Sequence, residues 1–197
     1  MKRLLEIGGL AAGVAMIAIG IVAIVLGVNG HSTVLDSIKQ EKITGSADMT
    51  PTAIREAGKQ AGLPDTTRYP TCTVAGQAVD NGDRARCFAQ YMRIHALEAT
   101  GGKTYSELGR FLTADGKDTN DVTAAAKGDN GRPVENGIRT LWVTETALAT
   151  ALNTSYLAQQ ISVFSIVVGA ALLLAGFGFA LLAWVTLGGA LRRRPAA

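Results

Sequence analysis

The sequence predicts an all-α protein, a membrane helical hairpin of two transmembrane helices continuing into an extracytoplasmic helical-bundle domain with long loops. Three observations carry this. No charged residue occurs in the 22 positions from Ile7 to Val28, nor in the 31 positions from Ile161 to Leu191. Lys2 and Arg3 precede the first stretch, and Arg192, Arg193 and Arg194 follow the second. The 132 residues between them, 29–160, have an ordinary polar composition and suffice for one small domain.

Composition excludes several classes at once. Of 197 residues 48% are hydrophobic and 18% charged, against roughly 25% charged in an average soluble domain. That rules out a disordered chain or a basic nucleic-acid tail. Two His and two Cys also limit the metal chemistry the chain can build.

About 20 apolar residues cross a hydrocarbon core, so both stretches qualify as spans, 7–28 and 161–191. Lys2 and Arg3 before an apolar run also suit a signal peptide. The run is long for that role, however, and no small-x-small cleavage site follows it cleanly. We read it as an uncleaved anchor. The positive-inside rule puts residues 1–6 and 192–197 in the cytoplasm, making this a two-span cell-membrane protein with 29–160 outside. The charge distribution agrees. The ends hold five basic residues and Glu6, whereas 29–160 holds 14 basic and 15 acidic residues, a net of −1. The pI near 9.0 therefore comes from the tails, and no nucleic-acid partner is expected. Trp184 and Tyr156 suit interfacial anchors.

Small residues repeat every seven positions in both spans: Gly13, Gly20 and Gly27 in the first, Ser162, Gly169, Gly176, Ala183 and Ala190 in the second. Such a repeat keeps one stripe pointing one way. Small side chains there let backbones approach closely in lipid. We read the stripes as facing each other in an antiparallel pair. Two other readings stand beside it: glycine and alanine are common in membrane helices, and one stripe could face a partner through Gly9 and Gly13.

Outside the spans, Asn29-Gly30 reads as a break, after which Val34, Leu35 and Ile38 share a helical face and extend the first anchor outward. Thr50-Pro51 reads as an N-cap with proline at the first helical position, and Gly62 lies just past the end. A Gly-, Pro- and Thr-rich loop runs to Gly82. Ala85, Phe88, Met92, His95 and Ala99 mark a helix over 83–100, stopped by Gly101-Gly102. A second loop, holding Pro133, runs through Gly128 to Gly137. From Ile138 the pattern Leu141/Trp142, Glu145, Leu148, Leu152, Tyr156 leads into the second span, predicting one helix of roughly 80 Å to Leu191. Four helices side by side follow outside the membrane, with no competing strand pattern.

Cys72 and Cys87 lie outside in this topology, where disulfides persist. Their bond would close a loop worth about 3 kcal/mol in the chain-entropy model. A redox-active thiol is the alternative, since Cys87 sits near a helix N-terminus. His95 and Glu98 share a helix face as in half of a carboxylate-bridged metal site, and Glu145 could join them. A solvated or hydrogen-bonded histidine is the plainer reading, and we assign neither a metal nor a cofactor. Gly102-Lys103-Thr104 imitates the end of a phosphate loop, but Leu97 stands where its first glycine belongs. Glu107, Arg110, Asp115 and Lys117 read as solvated surface. No Ser/His/Asp order can be assembled, so no catalytic residue is assigned.

Three runs carry a resemblance: Phe88 to Tyr105 (FAQYMRIHALEATGGKTY), Trp142 to Tyr156 (WVTETALATALNTSY), and Ile43-Thr44-Gly45 with Met49-Thr50-Pro51. Together they resemble a family of small actinobacterial two-span membrane proteins of unassigned role. Members often carry the automated label "aromatic ring-opening dioxygenase". An extradiol iron site needs two histidines and a carboxylate converging with open positions. Here they would be His31 at a membrane boundary and His95 on a mid-domain helix, so the residues do not support that label. The resemblance implies architecture, and its runs imply that the helices bearing His95–Glu98 and Trp142–Glu145 touch.

The expectation is therefore a non-enzymatic accessory or scaffold protein. It would present its outer domain to a membrane or envelope complex, with a membrane-protein partner or a second copy beside it in the bilayer. Respiratory-chain assemblies, which contain small two-span subunits, are a candidate host by analogy. A metal- or ligand-responsive module on His95, Glu98 and Glu145, or a thiol-redox protein, are the alternatives.

Overall fold

A computed structural model describes the backbone of residues 2–192 and the side chains of residues 7–186. Arg193 and Arg194, and the side chains of Lys2, Arg3, Glu6, Ala190 and Arg192, lie outside the described residues. The chain is mostly helical: α1 (Lys2–Gln40), α2 (Pro51–Gln60), α3 (Gly82–Ala99) and α4 (Gly137–Arg192), with β1 (Phe111–Leu112) and β2 (Asp118–Thr119) between α3 and α4. Two stretches, Ile7–Gln40 and Gly137–Thr186, are helices long and apolar enough to cross a membrane. The chain divides into two compact units, one pairing the α1 residues up to Leu35 with residues from Ala158 onward, the other running from Asp36 to Leu157.

In the paired-helix unit the small residues meet. A Cβ built on Gly13 would lie 2.8 Å from the Gly176 carbonyl oxygen, and one on Gly176 would lie 2.7 Å from that of Gly13. Gly20 and Gly169 stand in the same mutual relation at 2.7 Å, and Gly27 faces the Ser162 carbonyl at 2.8 Å. Any side chain at these positions would push the backbones apart. Ser162 and Ala183 are buried on the same stripe. Ser165 donates its hydroxyl to the Ala23 carbonyl across the pair at 3.0 Å. The Asn29-Gly30 break does not occur: α1 runs straight through it. The Asn29 carbonyl accepts the Ser32 and Thr33 hydroxyls, and a Cβ on Gly30 would meet Ser162 Oγ at 3.0 Å. This glycine admits a neighbour; it does not end the helix.

In the 36–157 unit, local sequence sets the helix ends. Thr50 Oγ1 accepts from the Ala53 N–H at the start of α2, behind Pro51 at its first turn. Asn81 Oδ1 accepts from the Arg84 N–H at the start of α3. The end of α3 turns through Gly101 and Gly102, both at positive φ, and the Gly102 N–H returns to the Leu97 carbonyl at 2.7 Å. Asn136 starts α4, its Oδ1 accepting from the Ile138 N–H while its amide donates to the Gly109 carbonyl.

The core of this unit corrects the picture of four helices side by side. It gathers Ile54 from α2 and Cys87, Tyr91 and Ile94 from α3, but also Met49, Leu63 and Val74 from the connections. The long loop is therefore part of the core. Its close approach to the 43–45 segment requires Gly45, where any Cβ would collide with the Val74 carbonyl. The absence of strands is corrected as well. β1 and β2 form an antiparallel pair, and Phe111 also bridges Glu135. Backbone bonds from Leu112 to Val134 and from Ala126 to Leu112 knit residues 110–136 together. Segments two residues long show no alternation, so no strand pattern is visible in the sequence.

Candidate functional site

Cys72 and Cys87 form a disulfide, with their Cα atoms 6.1 Å apart. The bond ties the long loop to the second turn of α3. Tyr91, fully buried one turn further on, donates its hydroxyl to the Cys72 carbonyl at 2.6 Å. Burial raises the Tyr91 phenol above its ordinary range, with nearby Arg55 opposing the shift. Loop, disulfide and tyrosine make one braced unit.

His95 stands between two carboxylates. Its Nδ1 lies 3.1 Å from Glu98 Oε2, and its Nε2 lies 3.4 Å from Asp48 Oδ2. Asp48 sits in the turn before α2 and is held below the usual carboxylate range, chiefly by the Ser46 hydroxyl, with His95 contributing. Glu145 does not join this group. It is buried on α4 with the Thr146 hydroxyl 3.4 Å away. Among the described residues no three His, Cys, Asp or Glu side chains are placed to hold a metal ion. Thus His95 and Glu98 come together, Glu145 stays apart, and the third member is Asp48, which sequence spacing did not indicate. An aspartate two residues before a Thr-Pro cap is too ordinary a signal to find it.

α3 and α4 do meet, at Trp142. Its ring packs with Ala96, Leu108 and Leu97, and the Arg93 guanidinium lies 5.5 Å from the ring centroid. The indole N–H donates to the Lys103 carbonyl at 3.0 Å. Tyr156, read from the sequence as an interfacial anchor, lies under the Arg86 guanidinium at 4.7 Å. The Gly102-Lys103-Thr104 segment is a helix stop. Lys103 Nζ pairs with Asp118 Oδ1 at 3.0 Å. The other Asp118 oxygen accepts the Gly109 N–H at 2.7 Å, and this bond leads in holding Asp118 below the ordinary aspartate range.

The remaining feature is the open side of α4. No charged residue occurs in its 46 positions from Thr146 to Leu191. Within the 36–157 unit, Leu141, Val143, Leu148 and Leu157 are all exposed there, Val143 and Leu157 by 57% each. A groove of about 310 Å³ runs between the end of α1 and α4, walled by Ile38, Ile43, Leu148, Ala151 and Leu152, with Ser37, Glu41 and Ser155 as its polar members. A second groove of about 510 Å³ lies along the other flank, where Tyr105 and Trp142 meet Val143, Thr146, Ala147 and Thr150. Asp36 and Lys39 lie in the last turns of α1, with Glu41 and Lys42 just past it, while the stretch of α4 across the first groove carries no charge. Cores of protein interfaces are depleted of charge in this way.

No protein family, curated protein or solved structure matches the chain.

Proposed function

We propose that this is a non-enzymatic integral membrane protein of two spans, an accessory or scaffold subunit. Its disulfide-braced domain would lie outside the cytoplasm and offer the Ile38–Leu148 groove to a membrane or envelope complex. The observation that carries the reading is this groove: mostly apolar walls, with Ser37, Ser155 and the Glu41 carboxylate among them, and no charge on the α4 side. At about 310 Å³ it lies at the small end of ligand pockets, which run roughly 300–1,000 Å³. It suits two or three side chains of a protein better than a cofactor. The runs that resemble the actinobacterial two-span family would fit the same architecture.

The test is purification from native membranes after mild cross-linking, with the full chain and with Leu148→Glu. Leu148 is 43% exposed, so glutamate there is expected to leave the core in place, which an unchanged unfolding transition would check. The expected result is a stoichiometric partner with the native chain and its loss with Leu148→Glu. Recovery of the same set of proteins with both chains would remove the groove from the interface.

A further inference from the structure

We propose that Asn130 is a self-modification site: in the folded chain its side-chain amide becomes a carboxylate through attack by the Gly131 backbone nitrogen. Four of the six asparagines precede glycine, at Asn29, Asn81, Asn130 and Asn136. Glycine has no side chain to shield its own nitrogen, so all four pairs have the chemistry for this reaction. The structure separates them.

Three are held shut. Asn136 is 4% exposed, with its Oδ1 accepting from the Ile138 N–H and its Nδ2 donating to the Gly109 carbonyl at 3.0 Å. Asn81 is clamped in the same way, its Oδ1 by the Arg84 N–H and its Nδ2 by Asp80 Oδ1 at 2.9 Å. In both, the leaving nitrogen is tied, and the side chain cannot turn toward the next peptide without breaking a helix cap. Asn29 lies inside α1. There the helical ladder points each backbone N–H at the carbonyl four residues back, away from the preceding side chain.

Asn130 differs at each point. It is exposed, at the tip of a hairpin whose bonds run from the Gly128 N–H to the Arg132 carbonyl and from the Val134 N–H to the Ala126 carbonyl. Its Oδ1 accepts from the Arg132 N–H at 3.0 Å, and among the described residues none takes its Nδ2. The leaving group therefore faces solvent. One bond stands in the way: the Gly131 N–H donates to the Gly128 carbonyl at 2.8 Å. It must open for the peptide to swing toward the side chain. A single backbone bond at an exposed tip opens far more readily than a buried cap.

The Gly131 nitrogen then bonds to Asn130 Cγ. The Cγ–Nδ2 bond breaks, and the amide departs as ammonia with the proton that Gly131 gave up, leaving a five-membered imide. Water adds to either imide carbonyl and opens the ring. Cleavage of the new bond gives aspartate on the original backbone; cleavage of the old peptide bond gives isoaspartate, with the chain running through the side chain. Both products carry one more negative charge. Asn130 lines a concavity of about 610 Å³ with Arg110, Arg132 and Glu135. The charged groups around it then change from two positive and one negative to two of each.

The full chain, purified in detergent, is incubated in mildly alkaline buffer and digested, and tandem mass spectrometry locates each amide-to-acid conversion. The expected result is conversion at Asn130 several times faster than at Asn29, Asn81 or Asn136, with isoaspartate at 130 labelled by an isoaspartyl methyltransferase. No conversion at Asn130, or a rate at any of the other three that equals it, would overturn the proposal. In strong denaturant Asn81 and Asn136 should rise to the rate of Asn130. If they stay unreactive there, their neighbours in sequence protect them instead of the caps, and the structural argument fails. Asn130→Gln must abolish the signal, because its longer side chain has to close a larger ring. A signal that survives in that variant, with the unfolding transition unchanged, refutes the assignment.

Discussion

The paired-helix unit and the 36–157 unit are held together by opposite means. The first has glycine against carbonyl: Gly13 with Gly176, and Gly20 with Gly169, each a contact that a single methyl would break. Where helices pack in lipid, closeness of approach replaces the hydrophobic effect as the source of cohesion. The second unit closes around large side chains, with Tyr91, Ile54, Ile94, Val74 and Val79 fully buried. It adds a disulfide and capped helix ends. One unit depends on what is missing from its side chains, the other on what they bring. Damage to either should therefore stay local.

The largest expected effect is on the domain. Replacing Cys72 and Cys87 by serine should cost about 3 kcal/mol, the chain-entropy value for a loop of this length. Thermal or denaturant unfolding of the 36–157 unit would show it, with the helix pair unmoved. A simultaneous loss of helix packing would break the division between the units.

Gly20→Ala should destabilise the helix pair by roughly 2 kcal/mol, an overpacking cost, because its methyl meets the Gly169 carbonyl at 2.7 Å and Leu173 Cγ at 3.0 Å. The domain transition should stay in place. Gly178→Ala is the matched control, with nothing within 4 Å of the new methyl. Equal effects at the two glycines would show that the contacts seen at Gly20 do not govern packing.

The smallest effect concerns pH. The folded-state pKa of Asp118 is depressed, so its contribution is present above the unfolded aspartate value of about 3.9 and is lost as pH falls through the lower folded value. Acidification through that window should speed amide exchange at Gly109 before the helices respond. Asp118→Asn should abolish the pH dependence at that amide. Persistence of the dependence in the variant would assign it to another group.

Much of this was legible in the sequence, and the reason is the kind of information involved. The starts of α2 and α3, the Gly101-Gly102 stop and the glycine stripes are written in local spacing, where one residue type answers one geometric demand. Gly30 misled because glycine serves two purposes, ending helices and admitting neighbours, and the sequence does not distinguish them. The 110–136 ladder was hidden because it is made of backbone bonds between very short segments. The partner of His95 was hidden for a different reason: Asp48 reaches it across 47 residues of chain, and no periodicity relates a turn to a helix face. Glu145, placed with His95 by its position on α4, sits elsewhere because the helices meet through the larger, apolar Trp142.

The placement of the indoles has a practical consequence. The chain contains two tryptophans. Trp142 is 3% exposed in the domain, and Trp184 is 73% exposed on the apolar part of α4. Each unit thus carries its own fluorophore, one shielded by neighbouring side chains and the other open to whatever solvent surrounds that helix. With Trp142→Phe and Trp184→Phe, emission colour and quenching by brominated lipid can follow the two halves of the molecule separately, with no dye attached.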